Sequence, residues 1–374
     1  MKYVGVDLHK HVIRLCVVSR AGQRRKVVDR RRFDCQDTAA IRAYFKHLGR
    51  FQAALEATAA YEWFFLLIED LADRVVLAHP KKLRVIAEST RKTDKIDAEV
   101  LATFLALDMI PEAYRPSPRI RQHRVLVRHR CWLQRRITSI QCKLRNTLAH
   151  DNADIAELFT QRGKAYRAGL SLSAADRFAV LALEEPLALF QRQLRDADQQ
   201  LREFAGLGAL AEQEARAILA TIPQIGPVTI DVVLSEMGDW RRFRSQKAAV
   251  AFAGLDPGVR QSAEKRRDLP ISKEGSRLLR WVLIQAAWRL AGRSARWSVT
   301  FHSLEKKTGS KKKAIVAVAR RLLCVMFSML QSGQAYRLAA GENTVEEKAR
   351  KQRPRRSRRC GPRSRQLVGS GRSA

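Results

Sequence analysis

Four carboxylates in this chain stand where metal-assisted chemistry at a phosphate would need them. Asp7 ends an opening strand in YVGVDLHK, and Glu56 ends a later strand in FQAALEATAAYEW. Asp94 and Asp97 stand three apart in RKTDKIDAEV, at the start of a helical stretch, and that spacing puts both on one helix face. Crowded carboxylates repel one another unless a cation lies between them. Hard oxygen donors favour Mg2+ or Mn2+, and a pair of such ions stabilises both the attacking and the leaving oxygen of a displacement at phosphorus. Each acid also has a plainer use, Asp94 as a helix N-cap and Asp97 as a partner of the helix dipole. Spacing alone leaves both uses open. His9 and His11 follow Asp7 closely, but no further histidine completes a ligand set. They are expected in a surface loop, with His9 near the pocket.

A second dense block is AFAGLDPGVRQSAEKRRDLPISKEGSRLLRWVL. Asp256-Pro257-Gly258 signals a turn. Ser262 follows, flanked by Arg260, Lys265, Arg266 and Arg267, with Lys273 further on. A serine hydroxyl attacks poorly unless activated, and neighbouring cations could hold a phosphate and stabilise its transition-state charge. The plainer alternative is one polar residue in a basic loop. Ser276 reads as the cap of a helix whose apolar side carries Leu278, Trp281, Val282 and Trp288. Upstream, TIPQIGPVT resembles a helix–hairpin–helix turn that offers backbone N–H groups to a phosphate. Gly226 is one of its usual glycines, and Gln224 stands in place of the other. A simple packing turn explains the same residues.

These groups need carriers. Residues 2–7, 12–19 and 25–33 read as a three-stranded meander, followed by a helix over 37–48 and a strand at 51–56. Next come a helix through Trp63, Leu66, Leu67 and Leu71 and a strand at 74–80. The order βββαβαβα predicts an α/β domain with a mixed sheet of the ribonuclease-H-like kind. In it the first and fourth strands are neighbours, which brings Asp7 and Glu56 together at their carboxyl ends, where open α/β sheets bind ligands. Pro111, Pro116 and Pro118 mark a boundary. Beyond it, Leu126, Leu133, Ile137, Ile140, Leu144 and Leu148 mark one long helix, and Phe190, Leu194, Ala197, Leu201 and Phe204 a second. The two suggest an antiparallel hairpin or coiled coil, serving as a dimerising or nucleic-acid-gripping arm or simply as packing. The expected plan is an α/β domain over 1–115, a helical coiled-coil region over 116–215, a mostly α-helical domain over 216–335 and a disordered basic tail over 345–374.

The chain has 374 residues and a net charge of +34. Eleven Lys or Arg and no acid lie from Lys348 onward, which leaves +23 on the rest. A folded body of that charge points to a polyanionic partner, DNA or RNA. The apolar fraction of 46% suffices for real cores and excludes a wholly disordered chain. Cys16, Cys35, Cys131, Cys142, Cys324 and Cys360 are scattered, with neither zinc-site spacing nor a disulfide framework, so a reduced, cytoplasmic setting is expected. The opening strand lacks the layout of a signal peptide. Residues 314–330, interrupted by Arg320 and Arg321, read as a buried helix rather than a membrane span.

Together, GVDLHK, LEATAAYEW and RKTDKIDA resemble the Asp-Glu-Asp-Asp signature of the insertion sequence 110 family of bacterial transposases. TIPQIGPVT and FAGLDPGVRQS…ISKEGSRLLR are similar to that family's C-terminal transposase domain. The resemblance covers residues 1 to about 335, in the family's order. It implies a RuvC-like N-terminal domain in which Asp7, Glu56, Asp94 and Asp97 bind Mg2+. It also implies that Ser262 attacks a DNA phosphate to form a covalent phosphoserine link, with strand exchange through a Holliday-junction-like intermediate. Donor and target double-stranded DNA would be chosen by a structured noncoding bridge RNA. Dimers would join into a tetramer whose active site combines the acids of one subunit with the serine of another, at work in the bacterial cytoplasm on the nucleoid. Two features depart from the family: Ala263 replaces the glycine after the serine, and the arginine-rich tail is extra. A RuvC-like structure-selective nuclease that needs only the acids, and a decayed, non-catalytic nucleic-acid-binding copy, are the alternatives.

Overall fold

The computed structural model describes residues 1–22, 24–58, 60–86, 94–262 and 265–337, and within 84–97 and 259–268 it extends to the backbone alone. The tail from 345 onward, expected to be disordered, lies outside the described residues. The chain forms two compact units, Met1–Pro116 and Ser117–Ala374.

The first unit is built on five strands: β1 (Lys2–Leu8), β2 (Val12–Ala21), β3 (Arg24–Asp34), β4 (Phe51–Glu56) and β5 (Arg74–Ala78). Their order in the sheet is β3-β2-β1-β4-β5. The first three form an antiparallel meander, and β4 and β5 continue parallel to β1. This is the mixed sheet predicted, with the first and fourth strands adjacent. Alternation along the strands sorts the two faces. Val4, Val6, Ile13, Leu15, Val17, Phe51, Ala53 and Leu55 turn to one side, where α1 (Thr38–His47) and α2 (Glu62–Ile68) supply Ile41, Phe45, Phe64, Phe65 and Ile68. The other face takes α4 (Asp94–Ala106), whose Leu101 and Leu105 meet Ala54, Val76 and Ala78 and whose Ala98 and Ala102 meet Cys16 and Val18. A short helix, α3 (Pro80–Ile86), leads away from β5. Helix α2 stops before the predicted Leu71, and Leu66 faces outward at 54% exposure, because the chain turns there to begin β5.

The second unit opens with α5 (Pro118–Ala149) and α7 (Ala174–Gly206), which pack antiparallel with α6 (Gln161–Gly169) beside them. The 32 residues of α5 span about 48 Å. Leu133, Ile137, Leu144 and Leu148 of the predicted stripe are buried. Of the stripe predicted on α7 Leu201 is buried, while Phe190, Leu194, Ala197 and Phe204 are half-buried. At one end of this hairpin Leu144 and Leu148 meet Val180 and Leu187. At the other, Val127, Cys131 and Leu201 join a helical core made with α8 (Leu210–Ala220), α9 (Pro227–Met237), α10 (Gln246–Ala253), α11 (Arg277–Arg293), α12 (Ala295–Thr308) and α13 (Lys311–Ser332). A two-stranded ribbon, β6 (Pro257–Ser262) with β7 (Lys265–Ile271), interrupts the helices. By length and composition α13 could cross a bilayer. Ten of its side chains are instead buried in this core. At about 1.5–3 kcal/mol for each large apolar one, that burial accounts for its composition.

Candidate active site

Asp7 is next to last in β1, and Glu56 is the last residue of β4. The parallel register runs from Lys2↔Phe51 to Val6↔Leu55, so Asp7 and Glu56 are the next pair along. Alternation puts both on the face that α4 covers, since Asp7 shares its parity with Gly5 and Glu56 with Ala54. The Asp7 side chain is 17% exposed, and Nε2 of the more open His9 lies 3.0 Å from its Oδ2. Arg14 stands opposite Asp7 in the antiparallel register with β2. His11 is exposed.

The seating of α4 explains why an acid pair at its start belongs to this corner. Ala98 and Ala102 press on Gly5: a Cβ there would strike the Ala98 carbonyl oxygen and stand 2.5 Å from the Ala102 nitrogen. Only glycine admits so close a helix. Leu101 and Leu105 lie further back, in the cluster against which Tyr3 packs. Helix α4 therefore starts at the carboxyl end of β1 and runs back along it. Arg30 of β3 pairs with Glu99 at 2.5 Å, and Arg20 donates to the Ala106 carbonyl at the helix's far end. The backbone of Asp94 and Asp97 forms the first turn of α4, and their side chains lie outside the described residues. Among the described residues no three His, Cys, Asp or Glu side chains gather as a metal-holding group. Asp7 and Glu56 contribute two adjacent hard oxygen donors, the kind that Mg2+ or Mn2+ takes.

Ser262 closes β6, at the end of the ribbon away from its base. The register pairs Arg260↔Arg267, Gln261↔Arg266 and Ser262↔Lys265, so Arg260, Ser262, Lys265 and Arg267 share one face by position. The side chains of these residues and of Arg266, like Ala263 itself, lie outside the described residues. The turn expected at Asp256-Pro257-Gly258 is not formed. Pro257 and Gly258 already belong to β6, where a proline is tolerated as the first residue of a strand. Lys273 is exposed, just beyond β7, with a positive φ of 55°.

The ribbon's base is tied by contacts that no sequence pattern announces. Ser272 Oγ donates to Asp256 Oδ1 at 2.5 Å, and Ser272 N to Asp256 O at 2.9 Å. Gly254 and Gly275 have φ of 65° and 78°, and a Cβ on either would meet the backbone of Glu274 or Phe252. Arg280 is 8% exposed and donates to the carbonyls of Ala253, Glu274 and Gly275 at 3.1, 2.7 and 3.2 Å. Burial lowers its pKa, and the neighbouring charge of Arg277 lowers it further. The signal in sequence was a charge on the core side of α11, beside Leu279 and Leu283. Ser276 caps α11 as predicted, accepting from Leu279 N at 3.2 Å.

The TIPQIGPVT segment forms a turn between α8 and α9. Gln224 takes the left-handed conformation, with φ of 61°, where the motif would place glycine, and its Oε1 accepts from Arg293 at 3.1 Å. Gly226 is the N-cap of α9, with open space where a Cβ would stand. An ionic clasp around the buried Asp231 and Glu236, also unforeseen, joins α5 to α8 and α9. His123 Nε2 and Arg216 Nη1 lie 2.9 and 2.6 Å from Asp231 Oδ1, and Arg128 grips both oxygens of Glu236 at 2.8 and 3.0 Å. Arg119 and Arg216 both bond Glu212. Burial alone would raise the Glu212 pKa, but these two guanidiniums outweigh it and hold the carboxyl below its usual range.

Residues 4–150 match the profile of DEDD transposases of the IS110 type, and residues 216–303 match that of the transposase IS116/IS110/IS902 family. The chain is 23% identical over 343 residues to the pilin gene-inverting protein of Moraxella lacunata, covering 89% of this chain and 97% of that one. It is 24% identical over 359 residues to the transposase for insertion sequence element IS1111A of Coxiella burnetii, covering 91% and 92%. A probable family 20 transposase of Pseudomonas aeruginosa is 26% identical over 290 residues, covering 76% and 82%. Two profiles in the order of the two motif blocks, with relatives that align along most of their length, identify the chain as a member of the IS116/IS110/IS902 family of transposases.

Proposed function

We propose that this transposase cuts and rejoins DNA through a covalent phosphoserine intermediate, with acids on the sheet and serine on the ribbon acting at one phosphate. The observation that carries the reading is the β1–β4 corner. Asp7 and Glu56 directly follow the last register pair, Val6↔Leu55, on the face where the α4 backbone starts with Asp94 and Asp97. Those four residues would hold a divalent cation, Mg2+ or Mn2+, which when bound supplies charge stabilisation for the displaced and attacking oxygens. His9, 3.0 Å from Asp7, orients that carboxylate. Ser262 Oγ attacks phosphorus: an Oγ–P bond forms, one P–O bond of the strand breaks, and the proton the serine loses balances the one the leaving hydroxyl gains. Arg260, Lys265, Arg266, Arg267 and Lys273 neutralise the phosphate and its neighbours, and the turn at Gly226 offers backbone N–H groups to the strand.

A phosphodiester kept as a protein ester conserves its bond energy, so rejoining needs no ATP. The name of the Moraxella relative, a pilin gene-inverting protein, supports a reaction that reseals what it opens. A structured bridge RNA would choose donor and target duplexes by base pairing, while the protein holds backbones. Dimers would pair into a tetramer in which one subunit's acids serve another's serine, in the cytoplasm at the nucleoid. Domain limits near 115, 215 and 335 would separate the acid-bearing, arm and serine-bearing parts.

The test is a denaturing gel of protein, candidate guide RNA, Mg2+ and end-labelled duplex. The wild type should give a protein–DNA adduct that vanishes in Ser262→Ala and in Asp7→Ala. Cleavage that persists in Ser262→Ala would replace this reading with that of a metal-dependent nuclease.

A further inference from the structure

Outside both motif blocks, α12, α13 and the segment after α13 line a cleft of about 830 Å3. Its walls carry four arginines: Arg296 from α12, Arg320 and Arg321 from α13, and Arg337 from the returning segment. No Asp or Glu lines it, and among the described residues none of the four pairs with a carboxylate. Cations left uncompensated in one concave place make a site for a polyanion.

The floor shows how the sequence opens this space. Ala317, Ser328 and Ser332 lie on the face of α13 opposite its buried core side, and their small side chains leave a trench between the arginines. Thr300 and Gln246 add neutral hydrogen-bonding groups, and Gln246 reaches Ser328 Oγ at 2.6 Å. At Gly333, with φ of 67°, α13 ends and the chain folds back. Tyr336 is then pinned from two directions. Its backbone N donates to Thr221 Oγ1 at 2.8 Å, and its hydroxyl accepts from Trp297 Nε1 at 2.9 Å. Its half-buried ring has the Arg296 guanidinium 5.9 Å from the centroid.

We propose that this cleft binds a single-stranded or looped segment of nucleic acid, with the phosphodiester backbone along Arg320 and Arg321 and a base against Tyr336 and Arg296. Cationic walls with a fixed aromatic platform are what strand binding without sequence reading requires. The volume is that of a pocket for a small ligand, so it takes a nucleotide or two of one strand and excludes a duplex. RNA and DNA strands share this chemistry, and the ribose hydroxyl is left for the experiment to weigh. The proposal rests on the cleft's own residues and stands apart from the serine mechanism.

The full-length protein is titrated into fluorescein-labelled 12-nucleotide single strands, one RNA and one DNA, and into the matching duplex, and anisotropy is followed at several salt concentrations. Arg320→Ala/Arg321→Ala should weaken single-strand binding by about tenfold or more and lower the salt slope by about 1.4. Lys306→Ala/Lys307→Ala, which removes equal charge outside the cleft, should change affinity far less. Ala317→Trp fills the trench without changing charge and should weaken strand binding as the arginine pair does, which keeps the test open if that double variant does not fold. Ultraviolet crosslinking should mark the tryptic peptide 322–337, which carries Tyr336, and its yield with RNA against DNA tells which strand the cleft prefers. Equal losses in the two double variants, or equal losses for duplex and single strand, would overturn the proposal, as would crosslinks that avoid 322–337.

Discussion

The two carriers of the proposed chemistry are held in opposite ways. Asp7 and Glu56 ride on the central strands of a five-stranded sheet covered on both faces, and α4 is locked down by a close approach to Gly5. Ser262 rides at the end of a two-stranded ribbon. Such a ribbon is marginal in isolation, so its position depends on a knot at its base: Asp256 with Ser272, Gly254 against Glu274, Gly275 against Phe252, and Arg280 across three carbonyls. Acids that share a cation must keep fixed spacings. A nucleophile that must meet a strand delivered to it needs a fixed root and a projecting tip.

Breaking the sheet side should cost most. Gly5→Ala drives a methyl into the α4 backbone and should destabilise the first unit by about 3 kcal/mol. Calorimetry should show its transition falling while that of the second unit stays, with cleavage lost. Arg280→Ala sharpens the contrast from the ribbon side. Losing charged hydrogen bonds to three carbonyls should cost about 2 kcal/mol, and adduct formation should fall even where Mn2+ binding, read by electron paramagnetic resonance, is unchanged. If Mn2+ binding falls in step, the two carriers are not separately held.

The smallest effect should come from the arm's root. Because Arg119 and Arg216 hold the Glu212 pKa below its usual 4.5, its contribution is complete above about pH 4.5 and is lost as pH falls through the folded value. Glu212→Gln should cost about 1 kcal/mol at pH 7 and flatten the acid limb of the second unit's melting curve. An acid limb identical to that of the wild type would remove Glu212 from this role.

The same contrast governs what could be read from residues alone. Alternation of two in VGVDL and FQAALE exposes both the strands and the face that carries Asp7 and Glu56, and the period of α5 shows in Leu133, Ile137, Leu144 and Leu148. Local pattern suffices where neighbours in sequence share one surface. The ribbon escaped because DPGVRQS and KRRDLPI lack apolar alternation, and Asp256-Pro257-Gly258 reads as a turn when it only precedes and opens a strand. Arg280 and the clasp of His123, Asp231, Arg216 and Glu236 escaped because their partners lie on other elements, and charges buried by tertiary pairing leave no periodic trace. Gln224 shows the reverse case. The sequence lacks glycine at that position, yet the left-handed turn forms around a glutamine.

The central claim is that the DNA becomes esterified to the ribbon's serine. Its most direct test is mass spectrometry of a reaction with Mg2+, guide RNA and duplex, digested with nuclease and trypsin. The account predicts a nucleotide attached to Ser262 in the peptide spanning residues 261–265, and no such species from Asp7→Ala or without divalent cation. A nucleotide on any other residue, or cut DNA with no protein-bound nucleotide at all, would contradict it.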